Sequence, residues 1–163
     1  MATTPIGVIA SSGVPSRTMS PSELASILRD EAGNWPGGHR RRVLLRPEFD
    51  PAQRLVGELD VDLGAALEEA HRRHTWPVYH EDEAWRDALK RAEGAIAIAD
   101  LGSVHQLALP VRTIKSTESE TWGELVLWLI PRRQAQRRLY GLMDFIKSPE
   151  ARAMVIEMGY GRR

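Results

Sequence analysis

Short apolar runs alternate along this chain with longer stretches of helical period. The run IGVIA at 6–10 is bounded by the turn-forming SSGVPS and reads as a buried strand leaving into a loop. In SPSELASILRDEAGNW, Ser20 is the expected N-cap, Pro21 the first helical residue, Glu23 the returning carboxylate of a capping box and Gly33 the terminator. RRVLLR at 41–46 predicts a second strand, followed by the helix DPAQRLVGEL with Asp50 as cap, Pro51 at its first position and Gln53 at its third. DLGAALEEAHRRH puts Leu63, Leu67 and Ala70 on one face of a third helix. TWPVYH reads as a strand, and EDEAWRDALKRAEG as a helix with acids first, Lys90 and Arg91 late, and Gly94 as stop. AIAIA at 95–99 is a small-residue buried strand, and VHQLALPVRTI and ELVLWLI are further strand candidates. RRQAQRRLYGLMDFIK and SPEARAMVIEMGY are expected as closing helices, the last capped by Ser148 and Pro149 and ended by Gly159.

Strands interleaved with helices predict an α/β fold, a three-layer sheet with helices on both faces. The polar stretch KSTESETWG at 115–123 divides the chain into a lobe at 6–115 and a C-terminal strand-helix-helix segment at 116–163. At 163 residues the chain can build a core that buries roughly 70% of its unfolded surface.

Charge changes the picture little. Lys plus Arg and Asp plus Glu stand at 22 each, so no global field gathers nucleic acid or anionic lipid. The absence of cysteine removes disulfides and thiolate chemistry. No segment approaches the about 20 apolar residues of a membrane span, and MATTPIGVIASSG lacks a basic leader. The chain as written is expected to be unexported and cytoplasmic, or periplasmic or extracellular if it comes from an exported precursor.

Arg46 is the leading ligand candidate, because a guanidinium at a strand's end can clamp a carboxylate or phosphate; a local salt bridge to Glu48 or Asp50 is the competing reading. Ser11, Ser12 and the Gly13 amide could face the same ligand across a cleft, or form a plain turn. His71 and His74, with Glu68 a turn back, have metal-ligand spacing, but one exposed helix face without a partner element argues against a metal. His80 with Glu81, Asp82 and Glu83 fits a helix's acidic first turn. No nucleophile motif or phosphate loop is present, so neither an enzyme nor a cofactor is expected. The runs HRRRV, EAHRRH and PRRQAQRRL read as solvated faces rather than a nucleic-acid surface, and the tryptophans as core.

Taken in order, VIASSGVPSRTMSPSELASILRDEAGNWPGG, VLLRPEFDPAQ, EDEAWRDALKRAEGAIAIADLG, LALPVRTI with ELVLWLIPR, and LMDFIKSPEARAMVIEMGYG resemble the second half of a type 2 periplasmic solute-binding protein of the phosphate-binding kind that serves ABC transporters. The resemblance spans nearly all of residues 6–161. It implies a non-enzymatic receptor fold, a small anion as ligand, an ABC permease as partner, and Arg46 as the anion-loop arginine. Residues 11–13 and 50–53, including Gln53, would shape the site. Two departures accompany it. The family follows its arginine with a Ser-Gly-Thr type sequence, whereas this chain has Asp50, Pro51, Ala52 and Gln53; Pro51 has no N–H to donate and Asp50 brings negative charge. The family's N-terminal half-lobe has no counterpart before Ile6, which leaves Trp122, Leu125, Leu127, Trp128 and Leu129 in need of cover. A ligand-less interaction module that forms a homo-oligomer through this apolar segment is therefore the rival reading; neither includes nucleic acid or membrane insertion.

Overall fold

The structure, a computed structural model, describes residues 2–30, 33–127 and 140–161. Its centre is a six-stranded sheet of β1 (Ala2–Ala10), β2 (Thr18–Met19), β3 (Arg42–Val43), β4 (Ala95–Asp100), β5 (Arg112–Ser116) and β6 (Glu124–Leu127). The order is β2-β5-β1-β4-β3, with β6 added on the first half of β1. β1 runs antiparallel to β4, Ile6 opposite Asp100 and Ala10 opposite Ile96, while β3 runs parallel to β4.

Alternation along the strands divides the core in two. Ile6, Val8, Val43, Leu45, Ile96 and Ile98 point into one apolar layer. It is closed by α1 (Pro21–Arg29), α2 (Pro51–Gly57) and α3 (Val61–Arg73), with Leu24, Leu28, Val56, Leu63 and Leu67 buried there. Ile9, Leu44, Ala95, Ala97 and Ala99 point the other way, against α4 (Asp82–Arg91) and the Leu109 region that follows α5 (Leu101–Gln106). The small side chains of AIAIA on this second face let the helices come close. A Cβ on the neighbouring Gly7 would stand 2.8 Å from the Leu101 side chain. The expected three-layer α/β arrangement is therefore present.

Local stop and start signals act as the sequence implies in most places. Ser20 accepts from the Glu23 N–H at 3.1 Å and the Glu23 carboxylate takes the Ser20 N–H at 2.7 Å, a complete capping box. Ser148 caps α7 (Pro149–Glu157) through the Ala151 N–H. Four expectations fail for identifiable reasons. α1 stops at Arg29, before Gly33, because the Asp30 N–H folds back to the Ile27 carbonyl. TWPVYH forms only the bridge Leu45 to Val78, since Pro77 has no N–H and offers only its carbonyl, which accepts from Leu45 N. The first part of VHQLALPVRTI lies in α5, capped when Asp100 accepts from the Ser103 N–H at 2.8 Å. Gln53 does not return to the N-cap but turns to the preceding loop.

The C-terminal segment folds back onto β1. Trp122 is 1% exposed within the first core, its indole N–H donating to the Ile114 carbonyl at 2.8 Å, so its own chain supplies the cover it was expected to lack. Leu125 packs against the same core, whereas Val126 and Leu127 are exposed. α6 (Tyr140–Lys147) and α7 follow, and the Gly161 N–H reaches the Thr3 carbonyl at 2.7 Å. Trp128, Leu129 and the basic run at 132–138 lie outside the described residues.

Candidate functional site

Arg46, three residues beyond the end of β3, and Asp100, the last residue of β4, line a hollow of about 430 Å³. Four local features hold the Arg46 backbone and side chain there. The Gln53 side chain, 3% exposed, mimics a neighbouring strand: its oxygen accepts from Arg46 N at 3.2 Å, and its amide donates to the Arg46 carbonyl at 2.7 Å and the Pro47 carbonyl at 3.1 Å. His71 adds a second contact to the Arg46 carbonyl through Nε2 at 2.9 Å. The guanidinium then donates to the Tyr79 carbonyl at 3.0 Å and to Asp82 Oδ1 at 2.5 Å. It also lies over the Trp85 ring, 5.7 Å from the centroid.

Asp50 serves two sides at once. One oxygen caps α2, accepting from Ala52 N at 3.0 Å and Gln53 N at 3.1 Å; the other stands 3.8 Å from Arg46 Nε. The helix end that could have received an anion is therefore occupied by the protein's own carboxylate. The Arg46 side chain is only 16% exposed, so its charge is compensated in place rather than screened by bulk water. Across the hollow Asp100 caps α5, and the Tyr160 hydroxyl approaches Ser103 Oγ at 3.1 Å and Asp100 Oδ1 at 3.5 Å. The lining carries Arg46 and Arg86 against Asp50, Asp82 and Asp100, two positive charges to three negative.

Of the residues singled out from sequence, Arg46, Asp50 and Gln53 come together here. Ser11, Ser12 and Gly13 do not. β1 is antiparallel to β4, so its carboxyl end lies at the opposite edge: Ser11 N bonds to Ala95 O at the start of β4, whereas Arg46 shares its hollow with Ala99 and Asp100 at the end. Ala95 and Ala99 stand four residue steps apart along β4, about 13 Å. The Ser11 hydroxyl is engaged with Ala95, and Gly13, at φ +83°, packs on the His39 ring. Glu48 makes no ion pair with Arg46; Asp50 and Asp82 do. His71 is buried with Nδ1 at 2.8 Å from the Leu67 carbonyl and Nε2 on Arg46 O, which separates it from any metal role with the exposed His74. Among the described residues no group of three metal-ligating side chains occurs. Asp100, Ser103 and Tyr160 are not singled out by the sequence, and Asp82 reads there only as ordinary first-turn chemistry. Its only signal is Trp85 three positions on, which places an aromatic face beside it.

No family profile matches the sequence, and no curated protein does. Solved structures do match. An ABC-type phosphate transport receptor from Vibrio cholerae superposes with a TM-score of 0.64 at 16% identity, covering 99% of this chain and 70% of the receptor. PstS from Borrelia burgdorferi gives 0.58 at 15%, with 98% and 69% covered. Peb3 from Campylobacter jejuni gives 0.60 at 8%, with 100% and 67% covered. The chain thus has the periplasmic-binding-protein-like fold of phosphate-type transport receptors, with which it shares architecture at low identity. Among the described residues no helix is long and apolar enough to cross a membrane.

Proposed function

We propose that this chain is a solute-binding lobe of the ABC-receptor kind, and that its ligand enters the hollow between Arg46 and Asp100. The supporting observation is the Arg46 guanidinium, fixed at the carboxyl edge of β3 by Gln53, Tyr79 O and Asp82 and lining a cavity of ligand size. Open α/β sheets bind ligands beyond this edge. The counter-charges then set the class. A phosphate dianion would meet a surplus of carboxylate, whereas a monocarboxylate bearing an ammonium group can pair with Arg46 at one end and with Asp100 or Asp82 at the other. The permease of an ABC system is the partner that accompanies this role.

Calorimetry with phosphate, sulfate, molybdate, small carboxylates and amino acids tests it. We expect binding of a monoanion or zwitterion that disappears in Arg46→Ala, and improved oxyanion binding in Asp82→Asn. Silence across the whole panel, unchanged by either substitution, would remove the receptor reading.

A second reading, an interaction module, is favoured by one specific feature. β6, α6 and α7 each expose large apolar side chains among the described residues, including Val126, Leu127, Leu142, Phe145, Met154 and Ile156. Light scattering separates the two: a monomer at micromolar concentration argues against self-association through this segment.

A further inference from the structure

A second cavity, remote from the Arg46 hollow, runs along the outer side of β3 and encloses about 390 Å³. We propose that it is a binding site for a small organic phosphate, a phosphate monoester whose dianion meets Arg40, Arg41, Arg42 and Arg91 and whose carbon moiety lies against the wall that includes Trp76 and Tyr79.

Four arginines line this cavity and no acidic residue does. Two of the four have an acidic partner behind them: Arg41 meets Asp30 at 3.0 Å while stacking on Trp35 at 5.5 Å, and Arg91 meets Asp87 at 2.8 Å. Arg40 and Arg42 make no ion pair or hydrogen bond through their side chains among the described residues. Counting those two acids, four positive charges less two negative leave a surplus of two, which a phosphate monoester dianion matches. Arg41 Nε is buried and has no acceptor among the described residues. The Arg46 hollow has the reverse balance, so the two sites sort ligands by charge.

Arginines on an edge strand also discourage pairing with other chains. That role does not account for this arrangement. β3 has only two residues and its continuation is already covered, Leu45 bonding to Pro77 O and Tyr79 N to Leu45 O. A single charge would protect so short an edge. Four arginines instead line one concavity in the size range of small-ligand pockets, with an apolar wall a bare ion would not need.

The test is titration of the whole chain with phenyl phosphate, pyrophosphate and inorganic phosphate, followed by calorimetry and by fluorescence of the nearby tryptophans. We expect phenyl phosphate to bind more tightly than inorganic phosphate. Its affinity should fall at least about tenfold in Arg40→Gln/Arg42→Gln, which removes two charge-assisted contacts. It should fall again between about 0.05 and about 0.5 M salt, because the site is open to screening. Both arginines are exposed, so the double variant should keep the wild-type melting temperature. Arg46→Ala should leave phenyl phosphate binding intact. Absence of binding, or binding lost in Arg46→Ala but kept in the double variant, overturns the assignment.

Discussion

Replacing Gln53 with alanine isolates what holds the candidate ligand arginine. The Gln53 amide makes three hydrogen bonds to the backbone of Arg46 and Pro47 from a side chain that is 3% exposed. Alanine would leave the Arg46 N–H without a partner, while the Arg46 carbonyl would keep His71 Nε2 and the Pro47 carbonyl would keep the Asp50 N–H at 2.9 Å. An unsatisfied buried backbone group costs about 1–3 kcal/mol, so the orphaned Arg46 N–H sets a loss of about 1–3 kcal/mol. For a chain of this length that lowers the melting temperature by about 3–9 °C. Gln53→Glu keeps the shape but turns a carboxylate oxygen toward two carbonyls, so it should destabilise at neutral pH and recover as the introduced acid protonates. Urea denaturation of both variants, with solute titration alongside, reads the effect. A loss below about 0.5 kcal/mol for Gln53→Ala would refute the reasoning and show that the Asp82 and Tyr79 contacts hold the loop unaided.

Three further outcomes follow from packing and charge. Trp122→Ala should cost about 3–5 kcal/mol, measured by chemical denaturation, because the indole is 1% exposed and its N–H partner Ile114 O is buried with it. Gly64→Ala should destabilise by about 1–3 kcal/mol, since its Cβ would stand 2.7 Å from the Gly57 carbonyl where α2 meets α3, whereas Gly141→Ala meets nothing within 4 Å and should be neutral or stabilising by about 0.5 kcal/mol. Hydrogen bonds from Arg29 hold the exposed Asp62 carboxyl below the usual carboxylate range. A lowered native value means that this contribution is present above about pH 4 and disappears as the pH falls through it. The melting-temperature gap between wild type and Asp62→Asn should therefore close in acid; a gap constant with pH would contradict the pairing.

What could be read from the sequence was whatever depends on neighbours along the chain. The Ser20 capping box, the Ser148 cap and the AIAIA strand each rest on groups within a few residues, and all three occur. α5 was missed although Asp100 and Ser103 form a cap three residues apart, because the flanking apolar residues share a strand's composition. Arg46 with Asp82 spans 36 positions, and no local pattern reports such a pair. The placing of Ser11–Gly13 near Arg46 failed for a topological reason. Strand direction is invisible in an apolar run, and reversing β1 against β4 moves its carboxyl end to the far edge of the sheet.

The carboxyl edge of β3 and β4 directs its loops into a crevice whatever those loops carry, so the fold locates a site without choosing its chemistry. The choice here lies with Asp50, Asp82 and Asp100. Desolvating the Arg46 guanidinium to 16% exposure is costly without counter-charges, and two of these acids supply them within the chain. A ligand must therefore displace or share an existing contact, which favours one that brings its own positive group to the displaced acid. Arg40 and Arg42 face no such competition, since their charge stands unanswered at the lip of the other cavity. Position within the fold and availability of charge thus point to different places in this protein, and an anion of two charges is directed to the β3 edge rather than to the crevice.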